Sequence, residues 1–363
     1  MRIAHVTDVY LPRLGGVELQ VHDLALRQSR LGHSTMVLTT TAAAMFQDDV
    51  PTLRITGVGA GPYRRFGGEA LGSTLRAHGI EAVHAHVSAF SPLAWTAARS
   101  AATTGLPTVV SVHSMWHDIL PLVRRFARTL DAASWPVQWA AVSSAAAEAV
   151  REALDGTPVA VLPNGIDPAA WLLPPTPPAS AIPTFISVMR MVRRKRPRAL
   201  LRTLLALRET NPNFRAILVG DGPLLPRLRR ATPVCPEITF TGALNRTSIR
   251  SLLASADVYI APAPRESFGI AALEARSAGL PVVARAGSGV ADFIQHGVEG
   301  WLVHSDVELQ NTLSSLLDDP SRVAAVSAHN RAVAPCVRWD TVLDAADELY
   351  ARAAAFLDRR AHA

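Results

Sequence analysis

The sequence predicts an α/β protein of two Rossmann-like domains facing a central cleft, and three observations carry that reading. Short apolar runs of strand length alternate with stretches of helical spacing through the first half of the chain. A segment with five prolines, "WLLPPTPPASAIP" (171–183), interrupts the periodicity, and the same alternation then begins again. Strands that alternate with helices imply a mostly parallel sheet covered on both faces. Open α/β sheets bind ligands at the carboxyl ends of their strands, so two such domains would place a binding cleft between those ends.

The elements follow in chain order. "RIAHVTD" (2–8) reads as a strand, "LPRLGGVE" (11–18) as a glycine-bearing loop, and "LQVHDLALRQSRLG" (19–32) as a helix that stops at Gly32. "TMVLTT", "AVHAHV" and "PTVVSVH" are further strands. These belong to a first domain over 1–172, followed by a linker over 173–183 that can be neither helix nor central strand. A second domain over 184–340 holds "TFISVMR", a helix near 197–209, "RAILVGDGP", "ITFTG", a helix near 247–255, "DVYIAPA", "PVVAR" and "GWLV". The last segment, 341–363, has the spacing of an amphipathic helix and is expected to pack back towards the first domain.

Composition narrows the function classes. A chain of 363 residues, 49% hydrophobic and 18% charged, is globular and long enough for two cores. No apolar run reaches the roughly 18 residues of a membrane span. Asp8 interrupts the first apolar run where a signal peptide would need continuity. Cys235 and Cys336 form no metal or disulfide pattern, which suits a reducing cytosol. The net charge of +6 raises nucleic acid or anionic lipid as partners. Of the 36 basic residues, however, 35 are Arg, so the bias points to coding composition more than to one ligand; the single Lys is Lys195.

Several loops at strand ends carry residues suited to a phosphorylated ligand. The adjacent glycines Gly15 and Gly16 let backbone amides approach a phosphate, although such a pair alone is often only a turn. Arg190 and Lys195, five positions apart after a strand, can hold a diphosphate, and His113 ends the strand "PTVVSVH". In "RESFGIAALEA" (265–275), Glu266 lies in a loop and Glu274 about two turns into a helix. The amides at the start of that helix are available to an anion, with hydroxyls meeting the two carboxylates. "HAH" (84–86) puts two imidazoles on one face of a strand, but with no third ligand at useful spacing it predicts no metal. "GDGP" reads most simply as a turn.

The ordered set "GGVE", the strand-end His113, "PNGID" (163–167), "VMRMVRRK", "VGDGP" (219–223), "SADVYIAPAPRESFGIAALEARSAGLPVVA" and "GSGVADFI" resembles the retaining glycosyltransferases of family 4 across nearly the whole chain. The resemblance implies the GT-B fold, a nucleotide-sugar donor and no metal or other cofactor. It places Glu266 at the donor sugar hydroxyls and Glu274 at the ribose, and has Phe268, Gly269 and Ile270 present their amides to the diphosphate, with Ser267 beside them in the donor site. Arg190 and Lys195 would neutralise the leaving pyrophosphate, Gly15 and Gly16 would approach the same phosphates, and His113 would line the sugar pocket near the reacting carbon. The chain departs from the pattern at Ser267 and Arg196, where the family often has Gly, and at Asp292, where Glu is usual.

The donor stays open among GDP-mannose, UDP-glucose and UDP-N-acetylglucosamine, and the acceptor among lipid-linked molecules and glycans. A nucleotide-sugar 2-epimerase on the same fold is an alternative, as is a non-enzymatic basic protein. For nucleic acid there is no recognition module. For lipid, "PLVRRFAR" (121–128) with Trp116, Trp135 and Trp139 nearby suits peripheral contact with an anionic membrane from the cytoplasmic side.

Overall fold

The structure is a computed structural model and describes residues 1–43, 48–55, 68–88, 90–172, 174, 182–232 and 235–361. The chain divides into two compact units: Met1–Gly165 together with Trp339–Ala363, and Ile166–Arg338.

In the first unit, β1 (Arg2–Thr7), β2 (Ser34–Thr39), β3 (Thr52–Arg54), β4 (Ala82–Val87), β5 (Thr108–Val112), β6 (Gln138–Ala141) and β7 (Val159–Val161) form one sheet in the order β3-β2-β1-β4-β5-β6-β7. Every pairing is parallel. The connections run through α1 (Gly16–Arg30), α2 (Gly68–Ala77), α3 (Pro92–Thr103), α4 (Leu120–Thr129) and α5 (Ser144–Ala153). The two-residue period of the strands divides the core. Ala4 and Val6 pack under Leu71, Leu75, Leu93 and Ala97 of α2 and α3, whereas Ile3, Ala82 and Val109 face the opposite layer with Leu24 of α1.

The second unit repeats the plan. Strands β8 (Thr184–Val188), β9 (Arg215–Val219), β10 (Ile238–Gly242), β11 (Val258–Ala261), β12 (Val282–Arg285) and β13 (Gly300–Val303) lie in the order β10-β9-β8-β11-β12-β13, again all parallel. Around them run α6 (Pro197–Thr210), α7 (Leu225–Arg230), α8 (Arg246–Ala254), α9 (Ile270–Ser277), α10 (Asp306–Asp318) and α11 (Pro320–Ala332). The last helix, α12 (Trp339–Ala361), belongs to the first unit, where Val342, Leu343, Ala346, Leu349 and Tyr350 cover the face of Ile3 and Val109. Among the described residues no helix is long and apolar enough to cross a membrane.

The division at Gly165/Ile166 and Arg338/Trp339 corrects the boundaries expected at 172 and 340. Local packing explains the shift. Ile166 forms a parallel bridge with Arg338, and Trp171 is buried with the Arg246 guanidinium 4.9 Å over its ring, so 166–172 rests on the second unit. On the other side, the Trp339 ring occupies the space that a Cβ at Gly165 would need. Within the expected linker, residues 173 and 175–181 lie outside the described residues.

Because α12 closes one face of the first sheet, Leu349→Ala should lower the stability of that unit by about 2–4 kcal/mol. Urea unfolding followed by tryptophan fluorescence checks this.

Candidate active site

In each sheet the strand order reverses beside the first strand, between β1 and β4 and between β8 and β11. Connections leave that point in opposite directions and open a crevice at the carboxyl ends of the strands. In the second unit, the loop after β8 carries Arg190 and Lys195, and the loop after β11 carries Glu266 to Gly269.

The first of these loops is seated by "VGDGP". Met189 N–H donates to the Val219 carbonyl at 3.0 Å, Met191 N–H to Asp221 at 2.9 Å, and Leu224 N–H to Met191 at 3.0 Å. Gly220 and Gly222 have φ of +127° and +151°, and a Cβ at Gly220 would run into the Met189 carbonyl. The glycines therefore hold the backbone on both sides of Arg190, which corrects the reading of this motif as a simple turn. Arg190 itself is exposed. Lys195 ends a 3-10 turn, and Arg196 then takes the left-handed conformation at φ +57° before Pro197 opens α6. That conformation accounts for the glycine usual there. Here the Arg196 guanidinium binds Asp306 at 2.6 Å, a carboxylate it shares with Arg285 at 3.0 Å.

Across the reversal, the Glu266 carboxylate binds Lys195 Nζ, and the Glu266 carbonyl accepts from Gly289 N–H at 2.8 Å. The ring of Phe268 is buried against Phe293 at 5.3 Å and anchors the loop. Gly269 has φ +93° and a Cβ there would lie 2.5 Å from Val290 Cγ2, so conformation and space both require glycine. It caps α9: Ala272 and Leu273 N–H both reach the Gly269 carbonyl, at 2.9 and 3.0 Å, and the amides ahead of them make no bond within the helix. Half-buried Ser267 and Ile270 flank the cap. Glu274 is the fifth residue of α9, hence one turn in and not the expected two, because the helix starts only at Ile270. Arg246 lies 3.9 Å from it. Beneath the two glutamates, burial pushes the Tyr259 phenol above its usual range, both carboxylates add to the rise, and its hydroxyl donates to the Val188 carbonyl at 3.1 Å.

In the first unit, Gly15 and Gly16 open α1, and the buried Glu18 carboxylate folds back beside Gly15 with Arg13 Nε at 3.2 Å. His113 follows β5, tied by its N–H to the Val87 carbonyl at 2.8 Å. Its Nε2 lies 3.0 Å from His86 Nδ1, His86 Nε2 lies 3.1 Å from His5 Nδ1, and His5 Nε2 lies 2.8 Å from Gln28 Oε1. His84 bonds Tyr350 Oη and Ser111 Oγ, both at 2.8 Å.

The third imidazole missing from the "HAH" reading is therefore His5. Parallel register sets it opposite His84, and the ligand atoms of His5, His84 and His86 come within 4.8 Å of one another. Each of their ring nitrogens already has a partner in the protein, which makes the cluster a hydrogen-bond network. Burial depresses all four histidines below the usual range, His5 and His113 to about 4.

The tryptophans named as membrane contacts are a further correction. Trp116 and Trp139 are buried and Trp135 is half-buried, all packed around Trp95. Aromatic stacking in the core outcompetes exposure.

Comparison with known proteins decides what this pair of sheets is. The family model "Glycosyltransferase Family 4" matches residues 14–170, and "Glycosyl transferases group 1" matches residues 176–333. The chain belongs to the family 4, group 1 glycosyltransferases. It is 27% identical over 313 residues to one of the polypeptides of the phosphatidylinositol N-acetylglucosaminyltransferase of Arabidopsis thaliana, covering 81% of this chain and 69% of the relative. To D-inositol 3-phosphate glycosyltransferase of Streptomyces avermitilis it is 26% identical over 409 residues, covering 97% and 87%. Its fold is similar to the crystal structure of Anabaena Alr3699/HepE in complex with UDP and glucose, with a TM-score of 0.76, 20% identity, and 96% and 98% of the two chains covered. Two parallel α/β sheets of this kind are the GT-B fold.

This geometry predicts two outcomes. Gly220→Ala should displace the Arg190 loop and lower turnover at least tenfold, with a stability loss of about 1–2 kcal/mol or more from the left-handed φ alone; steady-state kinetics and denaturation read the two effects. Acid should also destabilise the first unit. A histidine depressed on folding leaves the unfolded chain binding more protons, so stability is full above pH 6.5 and falls as pH drops towards 4. Buried His5 alone should account for roughly 3 kcal/mol, measurable as a falling Tm across that window.

Proposed function

We propose that this glycosyltransferase moves a hexose from a UDP- or GDP-linked donor to a phosphoinositol-bearing lipid acceptor, with retention of configuration and without a metal ion. The contact of Lys195 with Glu266 beside the start of α9 carries the reading. Leaving-group departure puts negative charge on a diphosphate and positive charge on the sugar ring. Fixed cations and helix amides aimed at the diphosphate stabilise the charge that develops. Arg190 and Lys195 supply the cations, and the amides at Gly269 and Ile270 supply the helix end. The Glu266 carboxylate holds the ammonium and accepts from donor-sugar hydroxyls, while Glu274 accepts from the ribose.

Retention follows a same-face course. The C1–oxygen bond to the diphosphate breaks, the acceptor oxygen bonds C1 from the same side, and the acceptor's proton passes to the departing phosphate oxygen. The phosphoinositol part of the acceptor is supported by the two relatives, whose names both carry a phosphorylated inositol, and the lipid part by the first of them alone, whose name carries phosphatidylinositol. Helix α4 supports a membrane-facing surface at the cytoplasmic side: Leu122 and Phe126 are exposed, and Arg124, Arg125 and Arg128 border a surface cavity of about 620 Å³.

Lys195→Ala and Glu266→Ala should each reduce turnover more than tenfold with the fold intact; near-normal rates in either would remove the phosphate and sugar sites from this crevice. NMR of the product's anomeric centre tests retention, and full activity after EDTA dialysis tests metal independence. The double variant Leu122→Glu/Phe126→Glu should lose at least tenfold in affinity for phosphatidylinositol-containing vesicles, and unchanged binding would move the membrane contact elsewhere.

A further inference from the structure

The imidazoles under the first sheet form a network whose proton directions follow from one buried amide. Gln28 lies on the inward stripe of α1. Its Nε2 donates to Tyr350 Oη at 3.1 Å, so the tyrosine places its own proton on His84 Nδ1, and His84 donates through Nε2 to Ser111 Oγ. The Gln28 amide oxygen can only accept. His5 therefore carries its proton on Nε2, and its Nδ1 is an acceptor. His86 Nε2–H fills that acceptor, which leaves His86 Nδ1 to accept from His113 Nε2–H. A neutral imidazole has a single proton, so the direction is passed on unchanged at each step. Burial keeps these rings neutral, which is what allows the direction to propagate.

We propose that Gln28, acting through His5 and His86, is a positioning residue that holds His113 as the Nε2–H tautomer and leaves Nδ1 to accept a hydrogen bond from a substrate hydroxyl. The substrate half of this assignment rests on the reading of His113 as a sugar-pocket residue. His113 Nδ1 is closed to solvent and has no partner among the described residues. Gln20 Oε1 is in the same condition, and both side chains line a cavity of about 20 Å³ with Asn164 and Trp339. Each of these acceptors lacks a donor, so the site calls for O–H groups, one proton to each acceptor, and not for a carboxylate or phosphate oxygen. The ring then works as a fixed acceptor that orients a hydroxyl, with Nε2 permanently occupied by His86.

The test is long-range ¹H–¹⁵N correlation NMR on the full chain with ¹⁵N-histidine at neutral pH. The expected pattern is a protonated Nε2 and a bare Nδ1 at His5, His86 and His113. Gln28→Leu should turn these three into tautomer mixtures and lower kcat about three- to tenfold. Tyr350→Phe, at the other end of the same amide, should change His84 and leave His113 as it was. General loosening of the core would move both sets alike. A wild-type His113 protonated at Nδ1, or a His113 pattern indifferent to Gln28→Leu, or one altered by Tyr350→Phe, overturns the assignment. If Gln28→Leu does not fold, the wild-type pattern and Tyr350→Phe carry the test. These signals do not depend on turnover: with the pattern in place, UDP-glucose or GDP-mannose should shift His113 Nδ1 on binding, and bound sugar nucleotide without that shift overturns the substrate half alone.

Discussion

Parallel strands can be joined only by a crossover, and a parallel sheet whose order reverses must send two neighbouring connections apart at one end. That constraint is met beside β1 in one unit and beside β8 in the other, and the candidate site of the second unit is arranged around it. In the second unit the separated loops bring a cation from one side and a carboxylate from the other. Everything else at that site serves to hold those loops: the positive-φ glycines of "VGDGP" on one side, and the Gly269 cap with the Phe268 anchor on the other.

Magnitudes separate the ion pairs that matter from those that only decorate the surface. Lys195 and Glu266 are 23% and 16% exposed, so water screens them incompletely, and their attraction is on the order of 4 kcal/mol at an effective dielectric near 20. A ligand that enters must match that interaction, which a diphosphate's charge can do. The Arg196–Asp306–Arg285 group is also partly buried and steadies the left-handed residue behind Lys195. By contrast, the Arg124 and Arg128 pairs with Asp155 sit in solvent, and such contacts add little to stability. Their position on α4 bears on what the surface meets, not on how the unit folds.

Much of this was legible in the chain itself. Strand and helix alternation, the restart after the proline-rich segment and the eight-position spacing of Glu266 and Glu274 are local patterns, and local patterns survive without coordinates. The singular Lys195 was legible because every other basic residue is Arg. What stayed hidden depends on long-range register. His5 joins "HAH" only because β1 lies beside β4, 79 positions away along the His5–His84 pairing. The seat that "VGDGP" provides for Arg190 needs β8 and β9 side by side, although two glycines just past a strand end were a signal that a backbone comes close. The tryptophans near "LVRRFAR" looked like a surface belt because helical spacing cannot reveal that they stack on Trp95. The early boundary at Gly165 followed from one bridge, Ile166 to Arg338, that no composition shift marks.

Lys195, held by Glu266 at the strand reversal, is the residue proposed to receive the donor's diphosphate. The most direct measurement is the Tm of the wild type and of Lys195→Ala against UDP, GDP and ADP, with EDTA present. At a nucleotide concentration about 100 times its Kd, bound ligand stabilises by about 2.7 kcal/mol. UDP or GDP should raise the wild-type Tm by several degrees, and most of the rise should disappear in the variant. An equal rise in both proteins, or none with any nucleotide, would contradict it.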